Sequence, residues 1–399
     1  MRTFILGLIA AAALGVAAPA GAQSNPPQAE PQQADTNYVV YDDGPISLPL
    51  GIGLRIPSYN RVDGLVIPWG PQIRLAKDRI EIDPTVTYRS HIGKLDPRVR
   101  AKIRLSQFDE IAIDGQRGTF TNDGWIRSDF INSLAALGVG SDARNYFRAD
   151  RGIAEFTHEI VAGPVTWKPK IGVLHEFAWS TGVPTRHTNA PWSALSRKDS
   201  LKMRRPNPSI IEGHTTSATG GVGFVYEQAD VKVSAMGGIE HAFDSPPVSA
   251  TEEGHFTQVT LHSKATFPTF GTQHFEFRGH GVFGFGDDVP PQRYAYLGGA
   301  GTLATVDLLG FGGDKLLFVE GEYSIPLRRP ILPYVGTPVL SLRYAAGAAG
   351  VDELPDLIQN LGVGIGVKLV KVEYHIDPNY RKTSFTDKSA FSIGFSLSL

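Results

Sequence analysis

Cysteine is absent from the 399-residue chain, which excludes disulfide bonds, paired-cysteine metal sites and a lipid anchor on an N-terminal cysteine. The charge balance is nearly even, with 38 basic and 40 acidic residues, so the chain lacks the basic excess typical of nucleic-acid binding. Beyond residue 22 no apolar run approaches the ~20 residues of a membrane helix. Motifs of zinc proteases, serine hydrolases and phosphate-binding loops are also missing. Any membrane crossing must therefore be made by strands.

The first 22 residues have the pattern of a cleaved signal peptide. Arg2 supplies a positive start, residues 4–17 form an uncharged apolar run, and Ala20-Gly21-Ala22 is a small-residue cleavage site. An uncleaved anchor helix is the alternative, which the short run disfavours. Residues 23–37 are rich in Gln, Pro and Asn and are predicted to form a disordered linker. Residues 38–60 are apolar but interrupted by Gly and Pro, and we assign them to a pre-barrel segment in the barrel mouth or beneath it.

The last ten residues alternate strictly between apolar and small or polar side chains. A strand turns successive side chains to opposite faces, so this stretch has one apolar face and one wettable face. In an outer-membrane barrel such a strand faces lipid on one side and pairs with the first strand, which leaves no backbone edge in hydrocarbon. The residues that carry this C-terminal strand signal are Phe391, Phe395, Leu397 and Leu399.

The same alternation recurs across residues 61–399 and predicts about fourteen strands, within a range of about twelve to sixteen. In one strand Val99 and its apolar neighbours alternate with four cations, and in another Phe275 and Phe277 alternate with charged residues. Unpaired charge is very costly to bury, so these positions need water. We predict that the charged positions face a water-filled lumen: Arg98, Arg100, Lys102, Arg104, Glu276 and Arg278.

The links between the strands fall into a short and a long set. We expect the short links on the periplasmic side, at residues 91–97, 162–165, 227–230 and 269–273. The long links, expected outside, are residues 109–151, 180–214, 243–256, 286–315 and 346–360. This asymmetry is typical of outer-membrane barrels. The sequence thus predicts an all-β fold, a transmembrane antiparallel β-barrel in the outer membrane of a Gram-negative-type bacterium. A secreted soluble sandwich or soluble barrel, whose strands also alternate, is the alternative.

One long link contains apolar residues at helical spacing. They run from Ile126 to Leu137, and Asp123 and Ser128 are candidate N-caps. We predict a short helix there. A helix that lies on the rim is favoured over one that binds a partner.

Residues 287–327 combine a Gly-rich loop with a following alternating strand, and five strands remain from that strand to the end of the chain. This segment resembles the BamA and TamA superfamily of outer-membrane assembly proteins, also called the bacterial surface antigen family. The matching pieces are Leu297-Gly298-Gly299, Gly301-Thr302-Leu303, Gly313-Asp314 and Glu322-Tyr323, together with the entry Tyr59-Asn60-Arg61-Val62-Asp63-Gly64-Leu65.

The resemblance implies a barrel whose long external loop folds back into the lumen. It assigns a lumen-loop role to Leu297, Gly298, Gly299, Gly301, Thr302, Gly313 and Asp314, and places Glu320, Glu322 and Tyr323 on the strand after the loop. The family's loop carries Arg-Gly and an aromatic residue after the Gly-Thr-Leu stretch, where this chain has Ala304-Thr305-Val306. The arginine that would pin the loop to the wall is missing there, and Arg293 is the candidate substitute.

Family members that fold or export other proteins use periplasmic POTRA domains, and residues 23–60 are too few for one. We therefore expect a barrel-only member with a translocation, pore or membrane-assembly role. An outer-membrane hydrolase and a passive structural or adhesion barrel are the alternatives. The adjacent pairs His158-Glu159 and His175-Glu176 point to opposite faces of a strand and cannot act together on one atom.

The expected partners follow from this prediction. They are outer-membrane lipid, the barrel-assembly machinery for the protein's own insertion, and a protein client that the sequence does not identify. Neither a cofactor, a metal nor a nucleic acid is expected.

Overall fold

A computed structural model of the chain describes residues 45–182, 205–248, 254–286, 289–327, 337–367 and 370–395. The predicted signal peptide, residues 1–22, and the predicted linker, residues 23–37, lie outside this part. So do Leu397, Leu399 and the side chain of Phe395.

The described chain forms one antiparallel sheet of 19 strands and a separate two-stranded sheet. Fourteen strands of the large sheet have seven residues or more, and five are shorter. The strands are β1 (Ile46–Ser47), β2 (Ser58–Asn60), β3 (Gly64–Trp69), β4 (Gln72–Leu75), β5 (Ile80–Arg89), β6 (Lys94–Arg104), β7 (Asp109–Phe120), β8 (Phe147–His158), β9 (Ile160–Ala162), β10 (Val165–Trp179), β11 (Gly213–Gln228), β12 (Val231–Asp244), β13 (Phe256–Pro268), β14 (His274–Phe285), β15 (Ala295–Leu297), β16 (Phe311–Gly313), β17 (Lys315–Pro326), β18 (Val339–Gly350), β19 (Ile358–Val367), β20 (Val370–Ile376) and β21 (Ser389–Phe395).

Each long strand pairs with the next one along the chain, so the order in the sheet follows the order in sequence. β14 pairs with β17, and β15 and β16 pair with each other inside the intervening loop. Five strands, β17 to β21, follow this loop, as predicted. Val367 pairs with Val370, which confirms that the change of register near residue 370 is a turn between two strands.

The sheet begins earlier than predicted. β1 pairs with β4 and β2 pairs with β3, so the chain from Ile46 to Asn60 runs beside residues 64–75 as the first strand of the wall. The boundary that we placed at residue 60, between a pre-barrel segment and the barrel, is therefore wrong. The sequence pattern that indicates this strand is the alternation of Ile46, Leu48, Leu50 and Ile52, whose side chains are all exposed.

A second correction concerns the link assigned to residues 109–151. Its first part forms β7, which pairs with β8 over its whole length and with β6 from Glu110 to Gln116, and the connection itself spans only residues 121–146. Because β7 was not predicted, the turn before β6 was assigned to the wrong end of the sheet. Because neighbouring strands are antiparallel, the turn at residues 90–93 lies at the same end of the sheet as the long loops, and the periplasmic assignment of residues 91–97 is wrong.

The predicted helix is present as α1 (Asp129–Val139), with a 3-10 turn at Asp123–Trp125 before it. Ser128 is its N-cap and accepts a hydrogen bond from the backbone N–H of Ile131, and Gly140 ends it in the left-handed conformation at φ 65°. Asp123 is not the cap. Among the described residues no helix is long and apolar enough to cross a membrane.

The sheet has an outer face that is apolar along its whole width. Large side chains on this face stay exposed from the first strand to the last, including Leu95, Val99, Ile113, Ile171, Val173, Ile239, Leu261, Leu342, Val363, Ile365, Phe391 and Ile393. The opposite face, called the inner face below, carries charged residues and the long loops. In the described residues no ladder joins β21 to β1 or β2, and α1 packs against both β2 and β21.

Candidate functional site

The loop between β14 and β17, residues 289–314 of the described chain, lies folded on the inner face. Leu297, Leu303 and Val306 are buried against Leu316 and Phe318 of the wall. The small sheet of β15 and β16 gives the loop its own backbone pairing, so few of its polar groups depend on water. Its position and packing make this loop the candidate functional site.

The tip of the loop is a tight turn that requires glycine. Gly298, Gly299 and Gly301 have φ values of 123°, 85° and 103°, which side chains other than glycine rarely adopt. A Cβ on Gly298 would lie 2.0 Å from the carbonyl oxygen of Asp307. The hydroxyl of Thr302 accepts a hydrogen bond from the Gly298 N–H at 3.1 Å and is fully buried. Four of the seven residues that the resemblance assigns to the loop, Gly298, Gly299, Gly301 and Thr302, therefore lie in one compact turn.

The base of the loop is closed by Asp314. Its carboxylate accepts hydrogen bonds from the Lys315 ammonium at 2.6 Å and from the backbone N–H of Asp352 at 2.8 Å, and the Asp314 carbonyl accepts from Gly284 N–H. Neighbouring Gly313 has no room for a side chain, because a Cβ there would lie 1.9 Å from the carbonyl oxygen of Gly350. These contacts fix the point where the loop re-enters the wall.

Four arginines outside the loop donate hydrogen bonds to its backbone carbonyls. Arg343 reaches Thr302 at 2.7 Å and Arg278 reaches Gly301 at 3.3 Å, both from the wall. From other long loops, Arg127 reaches the Ala300 carbonyl at 2.7 Å and Arg205 reaches the Leu308 carbonyl at 3.0 Å. Hydrogen bonds from a charged donor are stronger than neutral ones, so the turn is held from several sides.

Glu320 orients the two wall arginines. It is buried on the inner face of β17, where it accepts from the Arg278 Nε at 2.9 Å and the Arg343 Nε at 2.6 Å. Glu322, two residues further, pairs with Lys371 at 2.6 Å. Tyr323 points to the other face and bonds to Thr269 at the opposite end of the sheet, so the structure does not bring it to the loop.

Arg293 pins the loop to β12 and β10, which lie three and five positions from β17 in the sheet. Its guanidinium donates to Glu176 of β10 at 2.8 Å and to Glu240 of β12 at 3.0 and 3.1 Å. Burial opposes its charge, but Glu240 and Glu176 hold the pKa of Arg293 above its ordinary value. The sequence pointed to Arg293 as the substitute for the missing arginine. It did not reveal Glu176 and Glu240, because neither stands out in an alternating strand.

The loop of residues 121–146 also enters the inner side, which the sequence did not indicate. The Trp125 ring stacks on His280 of the wall with centroids 4.2 Å apart, and Ile126 packs against Leu309. Asp123 is fully buried where residues 121–146, 205–212 and 289–297 meet, around a cavity of about 20 Å³. Burial raises the pKa of Asp123 to about 7. The rim position assumed for this segment holds only for part of it.

The row of cations on β6 lies on the same face as the loop. Arg98 is opposite Gln116, which is opposite Arg151, and Arg151 pairs with Glu176 beside Arg293. Two cations of the row are paired with carboxylates, Arg98 with Asp114 and Lys102 with Glu110, and Arg104 donates a hydrogen bond to the Asp78 carbonyl. Arg100 is on the same face, as is Glu276, which pairs with Lys264 at 3.0 Å.

The adjacent residues His175 and Glu176 are divided between the two faces of β10. His175 is exposed on the outer face and Glu176 is fully buried on the inner face, as expected for neighbours on a strand. Within the described ranges no group of three or more His, Asp or Glu side chains is placed to hold a metal ion. The arrangement is one that binds and positions a loop.

The fold is that of a known outer-membrane protein. Among solved structures, the chain is similar to BamA from Haemophilus ducreyi lacking POTRA domains 1–3, with a TM-score of 0.51 and 12% identity over 85% of this chain and 69% of that one. CdiB from Acinetobacter baumannii gives a TM-score of 0.48 and 11% identity over 85% and 58% of the two chains. CdiB from Escherichia coli gives 0.46 and 10% over 86% and 61%.

No family model matches the chain, and no curated protein matches it in sequence. The likeness to the BamA barrel shows that the chain has the BamA-like all-β barrel fold, as the sequence predicted. At this identity the likeness extends to the fold alone.

Proposed function

We propose that the protein is an outer-membrane barrel whose lumen is closed by the loop of residues 289–314, and that it acts in translocation when this loop is displaced. The observation that carries the proposal is the way the loop is held. Its tip is bonded through backbone carbonyls to four arginines, and its start is bonded through Arg293 to two wall carboxylates. Such contacts are reversible, because water can replace each of them.

The distribution of apolar and charged side chains supports the membrane location. The outer face exposes aliphatic and aromatic side chains over its whole width, an arrangement that is costly in water and favourable in hydrocarbon. The inner face beyond the loop carries paired charges that require hydration. A Gram-negative outer membrane and a cleaved signal peptide are the matching compartment and export route.

Single-channel conductance in planar bilayers tests the proposal. Deleting residues 298–305 removes the carbonyls that Arg127, Arg278 and Arg343 hold, and we expect a larger or more frequently open conductance than in the intact chain. Arg104→Gln is the matched control, since Arg104 is a cation on the same face whose described contact is with Asp78, away from the loop. A deletion variant that inserts normally and conducts like the intact chain would rule out the plug.

A role in membrane assembly is a second candidate, and the seam between the ends of the sheet favours it. The edge N–H groups of Tyr59 and Arg61 are bonded to Ser133 Oγ at 3.0 Å and to the Asp142 carboxylate at 2.9 Å, instead of to another strand. Once they are uncovered, edge groups of this kind are a template for an added strand. Displacement of α1 would free the Tyr59 N–H, so locking α1 to β2 tests this candidate.

A further inference from the structure

Three segments of the long loops meet around one buried carboxylate, that of Asp123. They are residues 121–146, 205–212 and 289–297. Asn122 Nδ2 donates to the backbone carbonyls of Gln292 and Tyr294 at 2.6 and 3.0 Å. The Gln292 side chain donates to the Ile211 carbonyl at 3.2 Å and accepts from the Ile211 N–H at 3.4 Å. We call this place the three-loop junction.

The three-loop junction is continuous with contacts that hold the loop of residues 289–314. Arg293, which follows Gln292 in the chain, bonds to two carboxylates of the wall. Arg205, which begins the second segment, donates to the Leu308 carbonyl at 3.0 Å. A change that separates the three segments therefore loosens the loop at more than one point.

The surroundings of Asp123 are poor for a charged carboxylate. Its Oδ2 accepts from the Asn145 backbone N–H at 2.8 Å, whereas its Oδ1 has no hydrogen-bond partner among the described residues. The adjoining cavity of about 20 Å³, lined by Asn145 and Gln292 among others, has room for about one water molecule. An ionised carboxylate has about four lone-pair sites for hydrogen bonds. One water therefore cannot replace the hydration that burial removes.

Charged and titratable groups face Asp123 from all sides of the junction. Burial raises the pKa of Asp123 to about 7, although the Asn145 N–H and Arg205 favour its ionised form. The other groups that act on Asp123 or line the cavity are Arg61, Arg144, Tyr146, Tyr294 and Tyr296. Arginine and tyrosine keep their charge states between pH 4 and pH 8, so among these groups only Asp123 changes its charge in that range.

We propose that Asp123 is a pH switch for the loop of residues 289–314: its protonated form holds the three segments together, and its ionisation separates them and frees the loop. The ionised carboxylate is hydrated only when water reaches the junction, which requires the segments to move apart. Stabilisation of the closed state is therefore fully present below about pH 4 and is lost as the pH rises through about 7. This inference rests on the proposed function, because it concerns the release of the same loop.

Single-channel recordings of the full chain in planar bilayers at pH 5 and pH 8 test the switch. The carboxyl pKa is about 7 in the closed form and the ordinary 3.8 in the open form, so the ratio of open to closed time should rise at least about tenfold. In Asp123→Asn, whose amide stays neutral, the ratio should remain at the wild-type pH 5 level at both pH values. Glu353→Gln is the matched control and should keep the wild-type response, since Glu353 is an exposed acid of another long loop.

A disulfide separates loop movement from other effects of pH. Ile126 and Leu309 pack in one cluster and lie on different loops, in a chain without cysteine. In Ile126→Cys/Leu309→Cys the oxidised form should stay at the pH 5 level when the pH is 8, and the reduced form should open. Heat-modifiable migration of each variant checks that it has folded.

Several results would overturn the pH switch. They are an equal wild-type ratio at the two pH values, an Asp123→Asn variant that follows the wild-type response or is open at pH 5, and an oxidised cysteine variant that opens like the reduced one. Loss of the response in Glu353→Gln would overturn its assignment to Asp123. The deletion of residues 298–305 separates the two proposals. If it conducts more than a pH-insensitive wild type, the switch alone fails; if it conducts like the intact chain, the proposed function fails.

Discussion

Replacing Arg293 with glutamine should release the loop of residues 289–314 from the inner face. Arg293 is the residue of the loop that bonds to Glu176 and Glu240, and the substitution leaves both carboxylates in place at a poorly hydrated site. Breaking a buried ion pair by removing one partner costs about 3–5 kcal/mol. Here Glu176 keeps Arg151 and Glu240 keeps the Ser217 hydroxyl, so we expect a smaller loss than this, about 2–4 kcal/mol.

Hydrogen exchange measures this free energy directly. The amides of Thr305 and Asp307 are bonded from the loop to its surroundings, to Asn360 Oδ1 at 3.0 Å and to the Phe385 carbonyl at 3.0 Å. They exchange only when the loop opens. At 1.36 kcal/mol for each factor of ten, the expected loss makes their exchange about 30 to 900 times faster in Arg293→Gln.

A second substitution separates electrostatics from packing. In Arg293→Gln/Glu240→Gln one of the stranded carboxylates is gone, so part of the protection should return. Arg104→Gln, an exposed cation of the same face, should leave the exchange unchanged. Wild-type exchange in Arg293→Gln, or a double variant no better protected than the single one, would refute the assigned role of Arg293.

Two further predictions concern the other loops. Burial raises the pKa of Asp123 from its ordinary 3.8 to about 7, so between these values the folded chain holds a proton that the unfolded chain loses. The stability that this proton contributes is fully present below about pH 4 and declines as the pH rises through about 7. Thermal unfolding should show the wild type losing about 2–4 kcal/mol between pH 4 and pH 8, and Asp123→Asn losing much less; equal pH profiles would contradict this. In Tyr59→Cys/Ala136→Cys a disulfide can join β2 to α1, because residues 59 and 136 pack in one cluster and the chain has no other thiols. The reduced form should bind an alternating apolar–polar peptide, and the oxidised form should not. Binding by both forms would show that the seam is not a strand-accepting edge.

The period-two pattern determined most of the fold before any coordinates. Val99 with Arg98 and Phe391 with Ser392 separate onto two faces because a strand alternates whatever its neighbours are. Gly298, Gly299 and Gly301 marked a turn since few other residues adopt their conformations. Ser128 and Gly140 bound α1 through contacts within a few residues of themselves. These features depend on local geometry and are visible in sequence.

The failures have equally local causes. β7 was not predicted from the sequence because Gly115 and Arg117 stand at outer positions where an apolar residue was expected. Missing that one strand then inverted the side of the turn at residues 90–93. The first strand was not predicted because the 3-10 turn at Pro49–Gly51 and its neighbouring glycines interrupt the pairing.

The loop's anchoring was decided by tertiary structure alone. Arg293 meets Glu176 across 117 residues of sequence and Glu240 across 53. Which carboxylate it reaches depends on the register of every strand between them and on how far the loop extends over the inner face. The face on which a side chain lies alternates with every residue of a strand and can be read from the local sequence. The identity of a partner so far away in sequence depends on the geometry of the whole sheet.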